Sequence, residues 1–154
     1  MAARNGFAMI NPETTPEDFL AVCRELYGRR ARGDLESTLA LFAENAAFRI
    51  IGSRALIPAA GSRVGKSEIR EALKAFDVDF EIVDFNVEDF VAELPRMTYV
   101  SWHMTLRSRG SGAVAEIDGI DRVRWENYRI VDCTRFFDTA LVAALAQTDG
   151  HNES

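Results

Sequence analysis

Near Asp79 the spacing of apolar residues switches from every third or fourth position to every second, and that switch constrains this chain more than any other feature. The first spacing belongs to a helix, the second to a half-buried strand. Helices therefore come first and strands follow in one run. This order predicts an α+β architecture, with helices packed in a curved antiparallel sheet, rather than alternating βαβ units. At 154 residues the chain suits one domain, long enough to bury a core without staples.

Thr15-Pro16-Glu17-Asp18 predicts a helix start: Thr15 caps, Pro16 fits the first helical position, and both acids sit at the positive end of the dipole. Phe19, Cys23, Leu26 and Arg30 share one face, with Leu20 and Tyr27 beside it. Gly33 stops this helix, and Asp34 caps a short second one carrying Leu35, Leu39 and Phe42. A short strand over 47–51, a loop from Gly52 to Gly65 and a third helix over Lys66–Phe76 come next. Strands are expected over 79–93, 97–108, 113–126 and 128–137. A break at Leu94-Pro95 and turns at Gly110-Ser111-Gly112 and Glu126-Asn127 separate them, and Asp138 caps a last helical turn. Residues 1–14 read as a flexible arm, 15–147 as the single domain and 148–154 as a disordered tail.

Alternation sorts the strand side chains. Thr98, Val100, Trp102, Met104 and Leu106 share an inward face, as do Ala113, Ala115, Ile117, Gly119, Asp121, Val123 and Trp125. Asp121 is the only charge on the second set. Burial favours the neutral form of a carboxylate, and a neutral acid can donate a proton or a hydrogen bond. Two readings stand: a functional acid, or a structural group paired with a buried Arg or hydroxyl. A β-bulge at Gly119 would turn Asp121 outward. In the last strand Val131, Cys133, Arg135 and Phe137 share a face. Both faces there carry apolar residues, so Arg135 is either in the cavity beside Asp121 or solvated. Trp102 and Trp125 are core residues or cavity walls on equal terms.

Several functions are disfavoured. A net charge of −6 and a pI near 5.0 argue against nucleic acid. No stretch approaches the roughly 20 apolar residues of a membrane span. The N-terminal residues lack a signal-peptide core, and Cys23 and Cys133 make no disulfide framework, so reduced thiols and a cytoplasmic location are expected. Ala60-Gly-Ser-Arg-Val-Gly-Lys-Ser67 is similar to a phosphate-binding loop, but Ala60 replaces its first glycine and no strand precedes it. His103 lies on the polar strand face and His151 in the tail, so no metal site is read. Neither cysteine has a neighbouring histidine or a CxxC spacing. No cofactor is called for.

Gly33-Asp34-Leu35…Leu41-Phe42-Ala43-Glu44-Asn45-Ala46 resembles the "GDL…LFAEDA" segment of SnoaL-like and ketosteroid-isomerase-like proteins, within the nuclear transport factor two-like superfamily. Gly65-Lys-Ser-Glu-Ile-Arg70 is similar to the start of that group's third helix. Ile120-Asp-Arg-Val-Arg-Trp125 and Tyr128-Arg-Ile…Arg-Phe-Phe-Asp138 resemble its last two strands. The resemblance spans roughly 16–146 and implies a conical barrel, a deep apolar pocket and a homodimer packed through the sheet. It also places on Asp121 the isomerase's oxyanion acid, which in those enzymes an apolar site holds neutral. The isomerase base falls on Ile50, and its first-helix tyrosine on Leu26, next to Tyr27. The epoxide hydrolases' Arg and Asp pair falls on Trp102 and Met104, and their last-strand Asp on Arg135, so that triad is absent. The polyketide cyclases, with a single acid in an apolar pocket, are the nearest chemical fit.

The expectation is a pocket for a small hydrophobic, oxygenated, cyclic molecule, with Asp121 as the lone acid/base. Leu26, Tyr27, Phe48, Ile50, Val100, Trp102, Met104, Val123, Trp125, Arg135 and Phe137 would bind the ligand. Cofactor-free isomerisation, cyclisation or dehydration would be the chemistry; the alternative is a non-catalytic ligand-binding or dimerisation module.

Overall fold

The cap at Thr15 forms: its hydroxyl accepts the Asp18 backbone N–H at 3.2 Å, and α1 runs over Pro16–Ala31. The computed structural model describes residues 12–93 and 96–147. Most of the expected arm, the Leu94-Pro95 break and the expected tail lie outside them. Helix α1 buries Phe19, Val22, Cys23, Tyr27 and Arg30, while Leu26 is only half-buried, so its inward face centres closer to Tyr27 than the spacing suggested. Asp34 accepts the Ser37 N–H at 3.2 Å and starts α2, Leu35–Leu39.

Phe42 does not belong to α2; it opens β1, Phe42–Ile50, where it is the register partner of Ile130. Tertiary pairing here overrides the local helical spacing. The Gly52–Gly65 segment is likewise more than a loop. It contains β2, Gly61–Val64, antiparallel to β1, and it buries Ile57 and Ala60. Helix α3 covers Lys66–Asp79. Four long strands follow: β3 Phe80–Glu93, β4 Met97–Ser108, β5 Val114–Glu126 and β6 Arg129–Phe137. Asp138 accepts the Leu141 N–H at 3.0 Å and α4 spans Thr139–Gln147. The β5–β6 turn centres on Asn127 and Tyr128, at φ 48° and 60°, the left-handed pair that a two-residue hairpin requires.

The fold is α+β: N-terminal helices pack on a curved, unclosed sheet ordered β2-β1-β6-β5-β4-β3. One seam departs from the antiparallel expectation, because β1 and β6 run parallel. The chain from β2 through β5 lies between them, and it supplies the long connection a parallel pair needs. Register shifts between Ile82 and Asp84, Val87 and Asp89, and Arg124 and Trp125 interrupt the ladders. Irregularities of this kind bend strands. The β4–β5 ladder is unbroken across Gly119, so alternation holds and Asp121 points inward at 1% exposure. Gly119 itself is required by a close approach: a Cβ there would lie 2.2 Å from the Trp102 indole. Helix α1 packs against β3 and α3 against β1, which encloses the apolar side of the sheet.

Candidate functional site

Register fixes the centre of the site. Asp121 on β5 faces Arg135 on β6 as its direct cross-strand partner. The guanidinium grips the carboxylate with two bonds, Nε to Oδ1 and Nη2 to Oδ2, both 2.8 Å. From α1, the Tyr27 hydroxyl donates to the same Oδ2. This corrects the picture of a solitary acid: Asp121 accepts three hydrogen bonds and is one end of a buried salt bridge. Parity was right, but alternation along one strand says nothing of what a neighbouring strand and a helix deliver.

Aromatic rings surround the guanidinium. Its Cζ lies 5.7, 5.5 and 5.2 Å from the ring centroids of Phe48, Phe85 and Trp102. Phe85 also meets Tyr27 and Trp102 edge-on, at 4.6 and 5.1 Å between centroids. Such walls favour the cation and keep water away from the pair.

Burial sets the protonation of the groups around Asp121. The Tyr27 hydroxyl is held well above the usual phenol range, by desolvation first and then by the Asp121 charge, with Arg135 partly offsetting. The Cys23 thiol is pushed up to about 12 by burial, with Asp121 adding to the effect. Cys133 is pushed well up for the same two reasons. Thiols held protonated in this way are poor nucleophiles. For Arg135, desolvation opposes the charge, but the Asp121 interaction outweighs it and raises the group further.

Two cavities flank the pair. One, about 30 Å³, is lined by Phe48, Ile50, Trp102, Met104, Phe137, Arg135 and Arg30 together with apolar residues of α3, β3, β4, β5 and α4. The other, about 50 Å³, is lined by Leu26, Tyr27, Phe48, Phe85, Asp121, Val123 and Arg135 among others. They share Arg30, Phe48, Leu73 and Arg135 as walls. Among the expected ligand-binding residues, Val100 and Trp125 line neither. Val100 is fully buried, and Trp125 packs edge-on against Phe19 at 4.8 Å and donates its indole N–H to Thr98 at 3.0 Å.

Sequence reasoning missed Arg30, Leu73, Ile82 and Phe85 as walls. Arg30 did lie on the inward face of α1, and its charge is met by Asp77 of α3 through two bonds of 2.8 and 2.7 Å. Ile82 and Phe85 lie where β3 shifts register, so no simple alternation marks them.

Metal-ligand spacing occurs elsewhere, on the outer face. Glu88, His103 and Asp118 bring ligand atoms within 4.8 Å of one another. There His103 Nδ1 bonds Asp118 at 2.8 Å and Nε2 bonds Glu116, so carboxylates already satisfy both ring nitrogens. No helix among the described residues is long and apolar enough to cross a membrane.

Helices packed on a bent, open sheet, with a polar cluster opening on an apolar interior, define a nuclear transport factor two-like fold. The SnoaL-like domain family matches residues 23–133, and the chain belongs to that family. A comparison with curated proteins finds no match. Solved structures share the fold at low identity. A nuclear transport factor two-like protein of unknown function from Burkholderia pseudomallei superposes with a TM-score of 0.72 at 21% identity, covering 82% of this chain and 95% of its own. A candidate isomerase from Bacillus subtilis gives 0.70 at 16%, covering 81% and 88%. A candidate polyketide cyclase from Xanthomonas campestris gives 0.64 at 14%, covering 79% and 90%.

Proposed function

We propose that this protein binds a small, apolar, oxygenated, cyclic molecule, and that Asp121 acts on it as acid/base in cofactor-free isomerisation, cyclisation or dehydration. One observation carries this reading: a buried carboxylate, braced by Arg135 and Tyr27, borders an interior hollow whose walls are mostly apolar and aromatic, with Arg30 and Thr38 as further polar side chains. Convergent polar groups in an apolar hollow are the usual mark of a small-molecule site. Among the described residues Oδ1 of Asp121 accepts only from Arg135, which leaves it acceptor capacity. The fold neighbours described as candidate isomerase and candidate polyketide cyclase support this range of chemistry. Ligand sites commonly run to about 300–1,000 Å³. The two cavities are smaller, so a cyclic occupant joins them by turning aside a shared wall such as Phe48 or Leu73.

The second reading, a non-catalytic binding module, is favoured by a different observation: Asp121 already accepts three hydrogen bonds, and apolar Ile50 stands where the resembled isomerases keep a base. Exchange of α-hydrogens in a panel of cyclic ketones, followed by proton NMR in D2O, separates the two. The enzyme reading expects accelerated exchange that falls about 10²–10⁴-fold in Asp121→Asn. Saturable binding without exchange assigns the module reading.

We also propose a homodimer through the outer sheet face, in a reducing cytoplasmic setting that suits two buried free thiols. Val91 pairs with Tyr99, Tyr99 lies diagonal to Ile120, and Ile120 pairs with Phe136. All four are exposed, forming an apolar stripe from β3 to β6. A second copy related by a two-fold axis would cover the stripe with its own.

A further inference from the structure

Two buried N–H groups have no hydrogen-bond partner among the described residues: Nε1 of Trp102 and Nε of Arg30. Trp102 is 1% exposed and Arg30 6%. Both side chains line the same cavity, the one that does not include Asp121. The third polar side chain there is Arg135, which spends Nε and Nη2 on Asp121 and keeps Nη1 free of any hydrogen bond among the described residues. Its Cζ lies 5.2 Å from the Trp102 ring centroid, which sets the Arg135 guanidinium beside that indole in the wall of this cavity. Among the described residues, none that lines this cavity carries a side-chain oxygen.

An indole and a guanidinium donate hydrogen bonds and never accept them. At this end of the joined cavities every polar side chain only donates, so an acceptor oxygen is satisfied here, whereas a hydroxyl hydrogen finds a side-chain oxygen only at the Asp121 end. The other indole of the chain makes the contrast plain: Trp125 Nε1 is satisfied by Thr98. Ion pairing already balances both guanidiniums, Arg30 with Asp77 and Arg135 with Asp121, so the site needs an acceptor more than a countercharge.

Resting on the small-molecule reading above, we infer that the ligand presents a carbonyl-type acceptor oxygen, as in a ketone, quinone or carboxylate, to Trp102 Nε1 and Arg30 Nε, with its apolar body against Phe76, Met104 and Phe137. Asp121 does not line this cavity, although Arg30 and Arg135 border both. Selection for ligand class therefore resides on α1 and β4, while the acid/base group resides on β5.

A matched set of probes tests the inference: acetophenone, 1-phenylethanol, ethylbenzene and benzoate, titrated into the full chain and followed by the two indole N–H resonances in 15N NMR spectra. Trp102→Phe identifies the Trp102 signal, and Trp125 is the internal control. Acetophenone or benzoate is expected to move the Trp102 indole proton downfield with the Trp125 signal unchanged, and to bind about tenfold more tightly than ethylbenzene. That margin shrinks in Trp102→Phe. The stronger of the two carbonyl probes distinguishes a neutral from an anionic acceptor. Equal affinity for ethylbenzene and acetophenone, or preference for 1-phenylethanol, overturns the inference while leaving a small-molecule pocket standing. Failure of every probe to bind counts against both.

Discussion

Tyr27 on α1 donates its hydroxyl hydrogen to Oδ2 of Asp121 on β5, joining two buried groups that lie 94 residues apart in the chain. The bond ties the helix layer to the sheet in the wall of the larger of the two cavities beside the ion pair. A hydrogen bond to a charged group contributes roughly 1.5–3 kcal/mol. Tyr27→Phe keeps the ring against Phe85 and removes only the oxygen, so it should lose about that much stability in urea unfolding. A loss below about 0.5 kcal/mol would show that the bond is not maintained in solution.

Arg135 and Asp121 should behave as a unit. Arg135→Met strands a buried carboxylate on a single phenol and is expected to cost about 3–5 kcal/mol. Removing both charges, in Asp121→Leu with Arg135→Met, leaves no orphaned ion and should recover much of that loss. A double-mutant cycle from unfolding curves measures the coupling, and additive single effects would contradict the geometry.

The legibility of this site in the sequence follows from the same contacts. Asp121 stands out as the one charge on an apolar strand face, and no register shift between β4 and β5 disturbs the count. Arg135 stays ambiguous because both faces of β6 carry apolar residues; only the cross-strand register with Asp121 turns it inward. Phe85 is hidden by the shifts on β3, which break period two where it matters. Arg30 has the right spacing on α1, but its meaning depends on Asp77, 47 residues away, and on an aromatic wall from β4. Helix caps, turns and the order of elements are local, and so were readable. Phe42 was not, because the strand that claims it comes from the far end of the chain.

Gly119 makes a sharp test of the Trp102 placement. An added Cβ would sit 2.2, 2.5 and 2.6 Å from three atoms of the buried indole, which has no flexible end to swing away. Gly119→Ala should therefore cost about 1–3 kcal/mol or more through overpacking and should alter the near-ultraviolet dichroism of Trp102. Wild-type stability with an unchanged spectrum would mean that the indole lies elsewhere.

The His103 cluster predicts a pH dependence with a definite sign. Hydrogen bonds from His103 to Asp118 and then to Glu116 raise its affinity for a proton in the folded state, and Glu88 of β3 adds a third carboxylate nearby. The unfolded value is about 6.5. The stabilisation is thus fully present below about pH 6.5 and is lost as pH rises through the higher folded value. Because the ring is on the outer face, the effect is small and screened by salt. Urea midpoints measured across pH 5.5 to 8.5 should fall more steeply for wild type than for His103→Gln; parallel curves would remove the cluster from the account.

The outer stripe predicts the assembly. Ile120 lies opposite Phe136 and diagonal to Tyr99, and its side chain points away from the cavities, so Ile120→Glu leaves the interior untouched. Burying the stripe against a second copy would remove several large apolar side chains from water, each contributing on the order of 1.5–3 kcal/mol when fully covered. A glutamate at the centre replaces that gain with two like charges facing across the two-fold axis. Light scattering on a sizing column should return twice the chain mass of 17.2 kDa for wild type and the single mass for the variant. A wild-type protein that runs as a monomer at tens of micromolar, or an Ile120→Glu protein that stays dimeric, rules out this face as the contact.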